Sequence, residues 1–291
     1  MKKKQINSLV GGFHMNETKY SVLMSVYHKE KPEYLKESLI SIFNQTVRPD
    51  EVILIKDGPV TKELEDVINK FLSEYDVFHV YSLEENKGLG YALNHGLQYC
   101  NNEVVFRMDT DDISLKERAR VQLDYLNKHP DVSVLGSYIE EFIDDSGNNL
   151  YVKQVPLNDN EIKRMLKKKN AINHPSVVFK KSHILAVGGY IELKLNEDYY
   201  LWVRMAEKGY IFANIEEPLV KMRVTDETYL RRGGLKYFIT QNSIYKYMKK
   251  NNYISSVEYT YGYLIRFIFR VVLTNRLRKL VYTRLLRKGI S

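Results

Sequence analysis

An α/β fold built on a doubly wound, mostly parallel sheet is what the sequence predicts, and three observations carry it. Strand-length apolar runs alternate with helix-period segments from residue 20 to residue 108. The resulting βαβαβαβ order calls for right-handed crossovers, which make the strands parallel. The second apolar run ends in Lys56-Asp57-Gly58 and the fourth in a knot of acids, at the strand ends where open α/β sheets bind ligands.

Each element has a local reason. Residues 20–27 (YSVLMSVY) read as the first strand, and 35–43 (LKESLISIF) carry helical spacing. Residues 51–55 (EVILI) are the second strand, 61–74 a helix and 77–82 the third strand. A helix over 88–99 puts Leu89, Leu93 and Leu97 on one face. Val104, Val105, Phe106 and Met108 mark the fourth strand. Beyond it, 114–128 is a helix stopped by Pro130, and 132–143 and 150–155 are strands joined across Asp145-Ser146-Gly147-Asn148. A basic helix over 161–169, a short strand over 176–180 and a helix over 197–208 follow. Residues 211–224 are extended, with an interruption at Pro218. The expected organisation is a disordered leader over 1–18, one α/β unit over 19–229 and a basic amphipathic helical extension over 230–291.

Composition narrows the function. The 291 residues are 44% hydrophobic and 12% aromatic, enough for one large core and an appendage. Cys100 is the single cysteine, which excludes an intrachain disulfide and a cysteine-based zinc site. Met1-Lys2-Lys3-Lys4 leads into polar residues with no apolar core of a secretory signal, and no run of 18 apolar residues occurs. The net charge of +8 conceals an asymmetry: residues 221–291 hold 16 Lys and Arg against Asp226, Glu227 and Glu258. The first 220 residues are therefore acidic overall, and the basic tail suits an anionic surface.

The acidic run is Asp109-Thr110-Asp111-Asp112. Along an extended chain Asp109 and Asp111 point to one side and Asp112 to the other. A pair of hard oxygens with open positions suits Mg²⁺ or Mn²⁺ carrying a ligand's phosphates. The competing reading is a solvated loop capping the helix that starts near Ser114.

Five short motifs appear in order: Ser25-Val26-Tyr27, Asp57-Gly58, Asn86-Lys87-Gly88-Leu89, Asp109-Thr110-Asp111-Asp112, and Glu197-Asp198 followed by Trp202. Together they resemble the signature elements of family 2 glycosyltransferases of GT-A fold, of the kind that build bacterial capsular or O-antigen polysaccharides. The resemblance covers residues 20–235 and implies roles. Ser25, Val26 and Tyr27 would meet the base and ribose of a nucleotide sugar, largely through the backbone, and Asp57 the N–H of a uracil-like base. Asn86 and Gly88 would form a turn beside the nucleotide. Asp109 and Asp111 would hold the donor's ribose and a divalent metal, with Asp112 as a direct ligand in the alternative. Asp198, or Glu197 in its place, would be the general base that deprotonates an acceptor hydroxyl. Transfer by direct displacement, inverting the anomeric centre, is implied by the resemblance rather than by any spacing.

Other residues keep two readings each. His174 in Asn173-His174-Pro175-Ser176 would touch the acceptor or be structural, and Trp202 would stack on a sugar or lie in the core. Arg231 and Arg232, before Gly233-Gly234, would clamp the donor diphosphate or simply begin the tail. Within residues 259–274, Arg266 and Arg270 share a helix face amid apolar and aromatic residues, as an interfacial helix requires. The expected partners are a nucleotide sugar, a glycan or lipid-linked acceptor and the inner membrane surface, with no nucleic acid and with the oligomeric state open. The expected place is the cytoplasmic face of that membrane. The alternatives are packing of the tail on the body or a second subunit, a metal-dependent sugar nucleotidyltransferase, and a non-catalytic membrane or nucleic-acid binder. The nucleotidyltransferase lacks support because Ser25-Val26-Tyr27-His28 is not a Gly-rich activating loop.

Overall fold

The computed structural model describes residues 18–143, 151–193, 195–224, 234–272 and 288–289. Strands β1 (Tyr20–Val26), β2 (Glu51–Lys56), β3 (Phe78–Ser82) and β4 (Val104–Arg107) pair in parallel in the order β4-β1-β2-β3. Helices α1 (Pro32–Phe43), α2 (Lys62–Glu74) and α3 (Leu89–Leu97) make the crossovers. Pro32 opens α1, where a missing N–H costs nothing, and the Thr61 hydroxyl accepts the Leu64 N–H to cap α2.

The strands read as continuous apolar runs because both faces are covered. Val22, Met24, Val52 and Leu54 face one core with Leu35, Leu39, Leu64 and Ile68 of α1 and α2. Leu23, Ile53 and Val105 face the other, with Ala92, Leu93 and Leu97 of α3.

The second half departs from a purely parallel sheet. A short strand β5 (Ile113–Ser114) precedes helix α4 (Arg118–Lys128), so this helix starts later than its sequence suggests. Strand β6 (Val132–Ile143) pairs with β7 (Tyr151–Lys153), and β7 with β10 (Lys288–Gly289). Helix α5 (Asp159–Leu166) leads through a single 3-10 turn, His174–Ser176, into β8 (Val178–Lys180). Strand β8 bridges β4 and β6, antiparallel to both. Helix α6 (Lys181–Ala186), α7 (Glu197–Glu207) and strand β9 (Ile211–Val224) follow. The interruption at Pro218 is a register shift within β9, which runs parallel to β6.

Within the C-terminal extension the described residues form helices α8 (Gly234–Lys250) and α9 (Ser256–Phe267), with a π-helical turn over Ile268–Val272, and α9 is opened by a capping box between Ser255 and Glu258. They do not stand apart. Ile244, Tyr245 and Met248 of α8 share the core beneath α7 with Leu201, Trp202 and Met205. Arg266 stacks over the Tyr245 ring at 3.0 Å and Arg270 over Tyr237 at 4.9 Å, so both arginines turn inward to α8 rather than outward. Val257, Tyr261, Leu264, Ile268 and Val272 are exposed instead. Among the described residues, no helix is long and apolar enough to cross a membrane. The leader, the turn at 145–148 and the last basic residues before Lys288 lie outside the described residues.

Candidate active site

The acids sit where β4 ends, as its C-terminal position requires. The expected alternation along an extended chain does not hold there. The chain turns at Thr110-Asp111, and the turn brings carboxylate oxygens of Asp109, Asp111 and Asp112 within 4.8 Å of one another. Asp112 Oδ1 accepts the Arg223 N–H at 2.8 Å, while its buried Oδ2 has no hydrogen-bond partner among the described residues. Arg107, buried in β4, grips Asp109 with both terminal nitrogens of its guanidinium. Arg223 ties the turn to α1: its Nε donates to the Asp111 carbonyl at 3.2 Å and its Nη2 to Glu37 at 2.7 Å. The Thr110 hydroxyl donates to Glu30 Oε2 at 2.7 Å.

Charge crowding follows from this packing. Burial, then Asp109 and Glu30, push the Asp111 carboxyl up to about 7. Burial and Asp111 raise Asp112 well above the carboxylate range. Burial raises Glu30 as well. Arg118 braces the floor by donating to the Arg107 carbonyl at 2.8 Å, and burial lowers it to about 9. An oxygen-ligated cation relieves such a cluster, and the unpartnered Asp112 oxygen fits one.

On the β1–β2 side, Asp57 is buried and its carboxylate accepts the N–H groups of Lys87 at 2.7 Å and Gly88 at 3.0 Å. Asn86 Nδ2 donates back to the Asp57 carbonyl at 3.1 Å. Gly58 has φ +83°, and a Cβ there would lie 2.6 Å from the Asn86 nitrogen. The two loops named separately in the sequence are thus one body. Val26 pairs with Lys56 in parallel register, which levels this body with Ser25 and the exposed Tyr27.

Glu197 and Asp198 open α7. Asn170 Nδ2 donates to Asp198 Oδ2 at 2.6 Å. Glu197 lies against Gly90 of α3, where a Cβ would be 3.1 Å from its Cγ, and burial raises its pKa. His174 Nε2 and the Tyr190 hydroxyl share a hydrogen bond of 2.9 Å. Burial and Arg107 hold His174 well below its ordinary value, so it is neutral rather than poised near physiological pH. Trp202 is 0% exposed, with Phe212 and His174 at its ring edges. It is core, and the stacking role expected of it is corrected: no sugar reaches a fully covered ring. Arg231 and Arg232 lie outside the described residues. Sequence reasoning missed Arg107, Glu30, Asn170 and Tyr190. Only Arg107 left a signal, a charge inside an apolar strand.

Residues 21–184 match the family model described as Glycosyl transferase family 2. The chain belongs to glycosyltransferase family 2. A curated relative, the UDP-Gal:alpha-D-GlcNAc-diphosphoundecaprenol beta-1,3-galactosyltransferase of Escherichia coli, is 41% identical over 93% of this chain and 97% of that protein. The amylovoran biosynthesis glycosyltransferase AmsE of Erwinia amylovora is 38% identical over 87% of this chain and 94% of its own. Among solved structures, S. aureus TarS 1-349 in complex with UDP-GlcNAc superposes with a TM-score of 0.62 at 18% identity, covering 91% of this chain and 75% of that one. This family 2 glycosyltransferase therefore has the GT-A-type α/β fold with a helical C-terminal region, and it carries an acidic, DXD-like cluster at the end of β4.

Proposed function

We propose that the protein transfers a sugar from a UDP-sugar, with inversion, to a hydroxyl of a glycan or lipid-linked acceptor in surface polysaccharide biosynthesis. The observation that carries this reading is the cluster of Asp109, Asp111 and Asp112 at the end of β4, with the Asp112 oxygen buried and unpartnered. The Escherichia coli relative's UDP-Gal donor and diphosphoundecaprenol acceptor support the same substrate classes here.

Asp111 and Asp112 would hold Mn²⁺ or Mg²⁺. Asp109, gripped by Arg107, would be steadied for the donor's ribose. A bound ion supplies Lewis-acid stabilisation of the departing diphosphate. The body formed by Asp57, Gly58 and residues 86–88 would receive the base, with Ser25 to Tyr27 beside it. Asp198 takes the proton of the acceptor hydroxyl as that oxygen attacks the anomeric carbon. Glu197, pressed on Gly90, supports the same helix end. The acceptor approaches near His174 and Tyr190.

Exposed apolar and aromatic side chains, among them Val257, Tyr261, Leu264, Ile265 and Phe267, line α9, and basic residues follow them in sequence. That combination supports contact with an anionic membrane surface, which would bring the enzyme to a lipid-linked acceptor.

Calorimetry of UDP binding with and without Mn²⁺, followed by a screen of UDP-, GDP- and dTDP-sugars, tests the reading. Mn²⁺-dependent UDP binding and turnover of a UDP-sugar are expected. Binding indifferent to metal, or turnover of a GDP-sugar alone, would overturn it. The anomeric configuration of the product by NMR tests inversion, and co-sedimentation with anionic vesicles tests membrane contact.

A further inference from the structure

Helix α5 ends at Leu166, and the Met165 carbonyl in its last turn accepts the N–H groups of Lys168 at 2.8 Å and Lys169 at 2.9 Å. Tyrosine hydroxyls from three other segments cover this end of the chain. Tyr253, between α8 and α9, donates to the Lys163 carbonyl at 3.2 Å. Tyr199 of α7 donates to Leu166 at 2.6 Å, and Tyr245 of α8 donates to Lys168. The Tyr199 and Tyr245 hydroxyls are 3.3 Å apart, and Arg266 of α9 covers the Tyr245 ring. Burial raises the Tyr199 and Tyr245 phenols and pushes Tyr253 up to about 12, which keeps all three protonated as donors.

The chain pinned in this way reaches Asn170 two residues after Lys168. Asn170 is held from the other side too. Its Oδ1 accepts the Ile172 N–H at 3.2 Å, and Ala171, Ile172 and Asn173 are buried. Asn173 Nδ2 then anchors the loop on the Ser137 carbonyl of β6 at 2.9 Å. Between these two anchors Asn170 donates its 2.6 Å bond to Asp198.

We propose that Asn170 and Tyr245 are positioning residues for the Asp198 carboxylate, so that the C-terminal helix pair sets the geometry of the base. This rests on the reading of Asp198 as that base. The physical content is simple: an Asp in the first turn of a helix has several rotamers, and a fixed amide donor selects one. Arg266 and Tyr245 fix the loop that carries the donor. A helix pair that looks like an appendage thereby becomes part of the acceptor site.

The test compares full-length Asn170→Ala, Asn170→Ser, Tyr245→Phe and Asp198→Asn with the wild type, reading kcat, donor KM, metal-dependent UDP affinity and Tm. Asn170→Ala should lower kcat roughly 10- to 100-fold, the scale of a small misplacement of a reacting group, with donor KM and UDP affinity within about twofold. Tyr245→Phe should lower kcat by a smaller factor with the same split. Asn170→Ser, which keeps a hydroxyl donor, should recover part of the loss. Wild-type kcat in Asn170→Ala and Tyr245→Phe beside an inactive Asp198→Asn would overturn the inference while leaving the base reading intact. A parallel loss of kcat and UDP affinity, or a lowered Tm with no split, would overturn it as well, since that is general damage. An active Asp198→Asn would overturn the base reading itself, and the positioning of Asp198 with it.

Discussion

Asp57 and Asp198 are both carboxylates that the chain holds by hydrogen bonds, yet the two sides of the site hold them in opposite ways. Asp57 accepts two main-chain N–H groups from the next crossover loop but one, and parallel strands set both loops at one level. Asp198 accepts a hydrogen bond from a side-chain amide whose loop is pinned by tyrosines from far along the sequence. The proposed donor side is thus a property of one sheet and its turns. The proposed acceptor side is assembled from α5, α7, α8 and α9 together. A site built of main-chain geometry tolerates change around it, whereas one built of side chains transmits change from a distance.

The largest expected effect isolates the acceptor side. Asp198→Asn should reduce transfer by roughly 100- to 10,000-fold, the range for loss of a general base, while calorimetry shows UDP binding unchanged. Near wild-type turnover would end the distinction between the two sides.

Asp111→Asn should act on the donor side alone. Metal-dependent UDP affinity should fall by about 100-fold or more, as expected when a ligand of the ion itself is replaced. Unchanged Mn²⁺ dependence in the same titration would move the ion's ligands to other residues.

Gly58→Ala should show how tightly the donor loops are joined. Its φ of +83° and the 2.6 Å approach to Asn86 leave no room for a methyl group. The cost should be about 1–3 kcal/mol of stability, read by urea unfolding, together with weaker UDP binding. A variant as stable as the wild type would mean the two loops move independently.

The smallest effect is a pH dependence. Burial raises Asp111 to about 7 and raises Asp112 as well, so the folded state holds their protons more strongly than the unfolded chain does. The strain of their charges is present above those values and is relieved as pH falls toward the unfolded value of about 4. In the presence of a chelator, this site's contribution should raise Tm on going from pH about 8 to about 5, and saturating Mn²⁺ should flatten the profile. A site contribution that falls on acidification, isolated by comparison with Asp111→Asn, would remove the charge-crowding account.

Much of this was legible in the residues. The strand and helix alternation up to residue 108 was readable because both core faces impose local apolar patterns that periodicity detects. The acidic run was readable because three carboxylates in four residues need a counter-charge. The relation of Asp112 to its neighbours was not, because it depends on a turn that breaks the strand period. Trp202 could not be sorted between core and surface, since a helix position beside Leu201 and Val203 carries no mark of what covers it. Arg266 and Arg270 suggested an outward basic face, and only the tyrosines of α8 turn them inward.

By itself the sequence determined the α/β class, the parallel first half and the place of the acids at the end of the fourth strand. These follow from short-range regularities: side-chain period, turn residues and like-charge repulsion. The tertiary structure alone decided that Asp109, Asp111 and Asp112 converge, that Arg107 binds Asp109, that Asn170 meets Asp198 and that helices α8 and α9 join the core under α7. Those outcomes rest on contacts between residues distant in the chain, where the partner is chosen by packing and no local pattern records it.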